Sequence, residues 1–259
     1  MSALQARRDP DRNWRTYDSP TVVAHFLALG GLQPPEDAIL DLLRPLLPGM
    51  RMLDIGVGAG RTTPHFQALV REYTAIDYSP KMIEACKRRF PHIQGVFRVG
   101  DARAMTEFST AAFDLVLFRF NGIDVVSHED RMRELREIGR VLSPGGSLVF
   151  SSHNIRSLKL MYQVGLSGGP KTVAKHLVRA AGVRLRNGLT PATGRYARIY
   201  DGAHRFRLRQ YYATPEEQLR QLTDAGFADA RIFSLEGQPV DRAMLPSVTD
   251  SWLYYLCIA

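Results

Sequence analysis

Met50-Arg-Met-Leu-Asp-Ile-Gly-Val-Gly-Ala-Gly-Arg61 is the stretch on which the fold of this chain turns. Apolar Met52, Leu53 and Ile55 surround Asp54, and glycines follow at 56, 58 and 60. A short apolar run that breaks into alternating glycines is the pattern of a buried parallel strand passing into a helix. Lacking a Cβ, the turn can take positive φ and let a flat ligand lie against bare backbone. The free N–H groups of the next helix then point back at the loop, ready for a carboxylate or phosphate.

Nicotinamide, flavin and nucleotide folds also use glycine-rich turns, so spacing has to separate them. Here it is GxGxG, and Arg61 stands where a dinucleotide GxGxxG needs its third glycine. Asp54 sits at the carboxyl end of the strand, just before the first glycine. Asp-x-Gly-x-Gly-x-Gly in this setting resembles the first motif of the class I S-adenosylmethionine-dependent methyltransferases. The resemblance implies a doubly wound, mostly parallel, seven-stranded α/β sheet with an antiparallel last strand. It also implies S-adenosylmethionine as cofactor, with Asp54, Gly56, Gly58 and Gly60 beside it.

The rest of the chain carries the same pattern in order. Ser19-Pro20 and Pro35-Glu36 begin two helices, the first ended by Gly30-Gly31 and the second by Pro45 and Pro48. A helix is expected from about 63 to 72, then a strand over 73–77 and a helix capped by Ser79. Further strands are expected over 95–99, 113–119 and 147–152, with a helix over 129–141 between the last two. Thr214-Pro-Glu-Glu217 is a capping box, followed by strands near 230–235 and 251–258. Such alternation argues for a parallel sheet covered on both faces. The resulting division is 1–48 for helices over the cofactor, 49–154 for the cofactor-binding core, 155–210 for a basic lid and 211–259 for the end of the sheet.

Asp77 ends the second strand, where a carboxylate can accept from both ribose hydroxyls, and Tyr78 follows it. By the same resemblance, Asp101 accepts from the adenine amino group, the Ala102 backbone reads a ring nitrogen, and Phe118 lies at the fourth strand's end. Tyr17, beside Asp18, is placed to close over the cofactor, although an ordinary half-buried tyrosine would look the same. Asn121, His153 and Asn154 fall at the carboxyl edge of the sheet, where ligands bind in such folds, and are the acceptor-side candidates. His153 is the candidate base, weighed against a purely structural histidine. The Asx-Pro-Pro-Tyr mark of nucleobase and amide N-methylation is absent, and no metal is expected.

Composition bounds the alternatives. A chain of 259 residues, 45% hydrophobic and 23% charged, suits a soluble globular protein. No apolar run approaches the roughly 18 residues of a membrane span. The polar start, with Arg7, Arg8, Arg12 and Arg15, lacks the apolar core of a signal peptide. Cys86 and Cys257 form neither a metal spacing nor a disulfide framework, so a reducing cytoplasm is expected.

Residues 155–210 hold twelve Lys or Arg against one acid, Asp201, so this segment is +11 and leaves −3 of the total +8 to everything else. Lys171, Lys175, Arg179 and Arg186 fall on one helical stripe, and Asp201-Gly202 reads as a two-residue hairpin turn. The charge suits a small anionic acceptor first, with a lipid surface or RNA phosphates as alternatives, or simply a solvated face. Two other classes stay open: a module that binds the cofactor without transferring methyl, and a nucleotide-dependent oxidoreductase, which GxGxG and Arg61 disfavour.

Overall fold

The computed structural model describes residues 12–93, 95–163 and 169–259; the arginines at 7 and 8 lie outside them. The strands are β1 (Arg51–Ile55), β2 (Glu72–Asp77), β3 (Phe97–Val99), β4 (Phe113–Phe118), β5 (Leu142–Asn154), β6 (Tyr196–Ile199), β7 (Gln210–Ala213), β8 (Ala228–Phe233) and β9 (Trp252–Ile258). The helices are α1 (Arg12–Tyr17), α2 (Pro20–Ala28), α3 (Pro34–Leu43), α4 (Thr63–Phe66), α5 (Pro80–Arg89), α6 (His128–Val141), α7 (Leu158–Tyr162), α8 (Pro170–Asn187) and α9 (Pro215–Asp224).

The seven expected strands are β1 to β5, β8 and β9. In space β3-β2-β1-β4-β5 run parallel, β9 pairs antiparallel with β5, and β8 lies outside β9. β1 and β4 are buried except at Arg51 and Asp114, which pair with each other at 2.9 Å, as befits strands covered on both faces. One apolar cluster packs Leu135, Ile138 and Val141 of α6 onto Leu53, Val116 and Leu148. On the other face, Ile39, Leu40 and Leu43 of α3 join Met52, Leu115 and Val149.

β6 and β7 were expected to be a hairpin arm, and they extend the sheet instead. β7 pairs parallel with β5 only at His153–Tyr212 and Asn154–Ala213. β9 already occupies one edge of β5 there, and β4, on the other edge, has ended at Phe118 opposite Phe150. β7 therefore takes over the slot of β4, directly above the loop that leaves β4. The expected division at 210/211 falls inside β7.

Three local expectations need correcting. The helix after the glycine loop is a single turn, because Arg71 and Glu72 already donate backbone N–H groups to the Met50 carbonyl at 2.9 and 3.3 Å. The two-residue hairpin at Asp201-Gly202 is replaced by a connection over 200–209, in which Asp201 accepts from the Ala203 N–H at 2.8 Å and the Tyr212 hydroxyl at 3.0 Å. Ser19 does not cap α2 with its side chain but donates its hydroxyl to the Thr16 carbonyl at 2.7 Å. Ser79 and Thr214 do cap, accepting from Met82 N–H at 3.2 Å and Glu217 N–H at 3.1 Å.

Candidate active site

The glycine loop, the ends of β2 and β4, α2 and the 200–210 connection enclose one cavity at the carboxyl edge of the sheet. Its walls include Gly56, Gly58, Asp77, Tyr78, Asp101, Ala102, Phe118, Tyr17, Asn121 and His153, so ten of the twelve assigned site residues converge there. Asp54 and Gly60 do not line it. Asp54 is fully buried and bonded to Arg119 at 2.8 Å and to the Tyr73 hydroxyl at 2.8 Å. A Cβ on Gly60 would lie 2.5 Å from the Phe90 ring, so that glycine makes room for packing rather than for a ligand. Asn154, the further positional candidate, accepts from Arg156 N–H at 3.1 Å and donates to the Val248 carbonyl at 2.9 Å, as a cap.

Asp77 is held from both sides. The N–H groups of Gly58 and Ser79 each donate to its carboxylate at 2.9 Å. Burial pushes its carboxyl up to about 6, against the pull of those two bonds. Asp101 is gripped bidentately by Arg103 at 2.7 and 2.9 Å. Above Asp77, α2 packs Val22 and Val23 onto Ala59 and Met82, and Asp18 accepts from the Ser79 hydroxyl at 2.8 Å. Tyr17 consequently sits edge-on to Tyr78 and to His204 of the connection, with ring centroids 6.3 and 5.1 Å apart. Burial pushes its phenol up to about 12, which disfavours the phenolate and suits a hydrogen-bonding cover better than a base.

The acceptor end is built on an acid that went unassigned in the sequence. Asp124 is fully buried and accepts from His153 Nδ1 and from the His153 backbone N–H, both at 2.7 Å, and from the Ser152 hydroxyl at 2.9 Å. Its other partner is the buried guanidinium of Arg131, which also bonds Gln218, Gln221 and the Ile123 carbonyl and lies over the Tyr211 ring. A carboxylate on Nδ1 fixes that nitrogen as the donor and leaves Nε2 as the acceptor, 3.2 Å from Asn121 Nδ2. Phe120 and Asn121 both stand at φ 57°, a left-handed conformation that non-glycine residues adopt rarely and mostly where a site requires it.

Buried polar atoms nearly always have partners. Here Arg119 Nε, Asn121 Oδ1, Glu134 Oε2, Gln210 Oε1 and Trp252 Nε1 have none, and all five residues wall this cavity. Two donors, two acceptors and a carboxyl oxygen are thus left for a ligand. Arg119, Glu134, Gln210 and Trp252 were not assigned in the sequence, because what marks them is burial beside the cavity and not a local motif.

Residues 52–146 match the family model described as a methyltransferase domain. Over that stretch, more than a third of its length, the chain is similar to methyltransferases. It is similar to the demethylmenaquinone methyltransferase of Renibacterium salmoninarum, 29% identical over 58% of this chain and 62% of the relative. It is also similar to the malonyl-[acyl-carrier protein] O-methyltransferase of Erwinia billingiae, 34% identical over 42% of this chain and 41% of the relative. The chain thus spans about half the length of these curated relatives. In fold it resembles the CcbJ methyltransferase of Streptomyces caelestis, with a TM-score of 0.59 and 16% identity over 94% of this chain and 98% of that one. The matched stretch ends within β5. No helix among the described residues is long and apolar enough to cross a membrane.

Proposed function

We propose that this chain transfers the methyl group of S-adenosylmethionine to a small acceptor carrying negative charge. The observation that supports it best is the gathering of unpartnered polar atoms around the cavity that also holds the glycine loop, Asp77 and His153. The residues present fit the cofactor: Asp77 would hold the ribose hydroxyls, Asp101 and Ala102 the adenine, and the backbone at Gly56 and Gly58 the methionyl portion. When bound, S-adenosylmethionine supplies an electrophilic methyl on sulfonium. What remains for the protein is alignment, which by itself can supply several kcal/mol, about 7–11 in the best-oriented cases. His153, oriented by Asp124 and steadied by Asn121, takes the proton of an acidic acceptor at Nε2. Tyr17 and the ribbon of β6 and β7 keep water from the cavity.

The charge of the acceptor is read from α8. Lys171, Lys175 and Arg179 share a groove with Asp201 and Ala203, and those two residues also wall the main cavity. The cationic groove therefore lies next to the proposed methyl-transfer site, with Asp201 and Ala203 between them. Phosphorylated, carboxylated and lipid-linked acceptors all match it. Reversing Lys171, Lys175 and Arg179 to Glu is expected to leave the affinity for S-adenosylhomocysteine within about twofold and to reduce turnover of an anionic acceptor. That loss shrinks at high salt, where surface attraction is screened over about 3 Å at 1 M. Parallel loss of cofactor affinity and turnover would mean that the stripe merely supports the fold.

Calorimetry with S-adenosylhomocysteine, with NAD as the control, tests the cofactor. Asp77→Ala is expected to weaken binding by about 1–3 kcal/mol, the cost of leaving hydroxyls without a charged acceptor. Because the Asp77 carboxyl lies up at about 6, wild-type affinity should fall as the pH drops below 6, by at most about tenfold per unit. In the free protein the sign is opposite: the stability held by this group is full below its unfolded value of 3.8 and is lost as the pH rises through about 6. A flat affinity from pH 7 to pH 5, together with an unaltered Asp77→Ala, would sink the ribose assignment.

A further inference from the structure

We infer that Glu134 is an adenine-reading side chain, presented to the ring from α6 beside the Asp101–Ala102 turn. The inference rests on the cofactor reading above and adds a residue to it. Helix spacing supplies the first argument. Positions 130, 134 and 137 lie on one face of α6, at i, i+4 and i+7. The two outer members both meet the 101–105 segment: Asp130 pairs with Arg103 at 3.4 Å, and Glu137 accepts from Met105 N–H at 3.0 Å. Glu134 between them therefore faces the same segment, and it walls the cavity together with Asp101, Ala102, Arg103 and Val126.

The second argument is the missing partner. Glu134 is only 4% exposed, and its Oε2 makes no hydrogen bond. The cations nearby are engaged elsewhere. Arg131 is committed to Asp124, Ser152, Gln218 and Gln221, and Arg103 to Asp101 and Asp130. Burial holds the Glu134 carboxyl well above the usual carboxylate range, with Asp101 and Asp130 adding to the effect and Arg131 and Arg103 opposing it. A buried carboxyl left in this state is a cost to folding that a hydrogen bond to a ligand would offset.

The chemistry selects the ligand's edge. A neutral carboxyl offers one O–H donor and one carbonyl acceptor side by side. Adenine presents the matching pair, an amino N–H next to a ring nitrogen lone pair. An ionised carboxylate could accept but not donate. Asp101 is poorly placed to take this role alone, because Arg103 already holds both its oxygens and its side chain is 43% exposed.

The test is calorimetry with S-adenosylhomocysteine and its purine analogue lacking the 6-amino group, on wild type, Glu134→Gln and Glu134→Met. Glutamine keeps a donor beside an acceptor, so Glu134→Gln should bind S-adenosylhomocysteine within about threefold of wild type. Methionine keeps the volume and loses both groups, so Glu134→Met should bind it about tenfold or more weakly, a factor that corresponds to about 1.4 kcal/mol. The preference over the analogue lacking the amino group should shrink accordingly, while the ligand-free melting temperature holds or rises. Wild-type affinity in Glu134→Met overturns the inference, as does equal loss for both ligands, which would signify packing. Asp77→Ala separates the two readings. If it weakens binding and Glu134→Met does not, only the adenine role fails; if wild type binds no S-adenosylhomocysteine, the cofactor reading fails as well.

Discussion

Asp124→Asn is expected to cost about 3–5 kcal/mol of folding free energy, the usual penalty for leaving one member of a buried ion pair without its partner. Asp124 and Arg131 are both fully buried. Asparagine nearly matches the shape but removes the charge, and one of its two terminal atoms must now present N–H groups where only donors stand: His153 N–H, His153 Nδ1 and the Ser152 hydroxyl. The expected result is a urea midpoint well below wild type with an unchanged slope. Coupling the change to Arg131→Met should recover part of the loss, since removing both charges removes the unpaired guanidinium. The cofactor end is built on other strands, so S-adenosylhomocysteine affinity of the folded fraction should change little, while turnover that uses His153 should fall. A destabilisation under about 1 kcal/mol would mean that the pair is far better solvated than its burial indicates.

Gly58→Val should reduce S-adenosylhomocysteine affinity by more than about a hundredfold, or roughly 2.7 kcal/mol. Gly58 stands at φ +58°, where a β-branched residue is an outlier. A Cβ there would lie 3.0 Å from Cδ1 of Phe26, the ring by which α2 covers the cavity. The crowding thus falls on the cover as well as on the ligand. The same glycine donates its N–H to Asp77, so a shift of the loop also disturbs the proposed ribose acceptor. Gly58→Ala, with one methyl and no branch, should show a smaller loss and guards against misfolding of the valine variant. If circular dichroism reports a native fold and affinity is unaltered in both, the loop is no more than a turn.

What could be read in the sequence is what local chemistry decides. Glycines at 56 and 58, an acid ending β2, the caps at Ser79 and Thr214 and the alternation of apolar runs each act within a few residues, and each is found where expected, whereas Ser19 turns its hydroxyl back to Thr16. Asp54 shows where that reading stops. Its motif position is correct, but its partner, Arg119, comes from the far end of β4, and together they form an ion pair behind the cavity instead of lining it. Asp124 and Glu134 were invisible for the same reason. One sits in a 3₁₀ turn and the other on an ordinary amphipathic helix, and only the packing of α6 against the sheet withdraws them from water. The course of β7 is decided by an edge of β5 that β4 happens to leave open, a condition no local pattern encodes.

That borrowed edge gives the protein two levels of protection against exchange of its amides. β9 runs beside β5 from Ser147 to His153, whereas β7 grips it only at His153 and Asn154. Opening the ribbon breaks few backbone bonds to β5, although it uncovers Tyr211 and Tyr212, so deuterium should enter β6 and β7 before it enters the centre of the sheet. Entry into β1, β4 and β5 should require unfolding of the whole sheet. His153 lies on the boundary between these two regimes: its carbonyl end belongs to the part that breathes, and its ring is anchored through Asp124 to the part that does not.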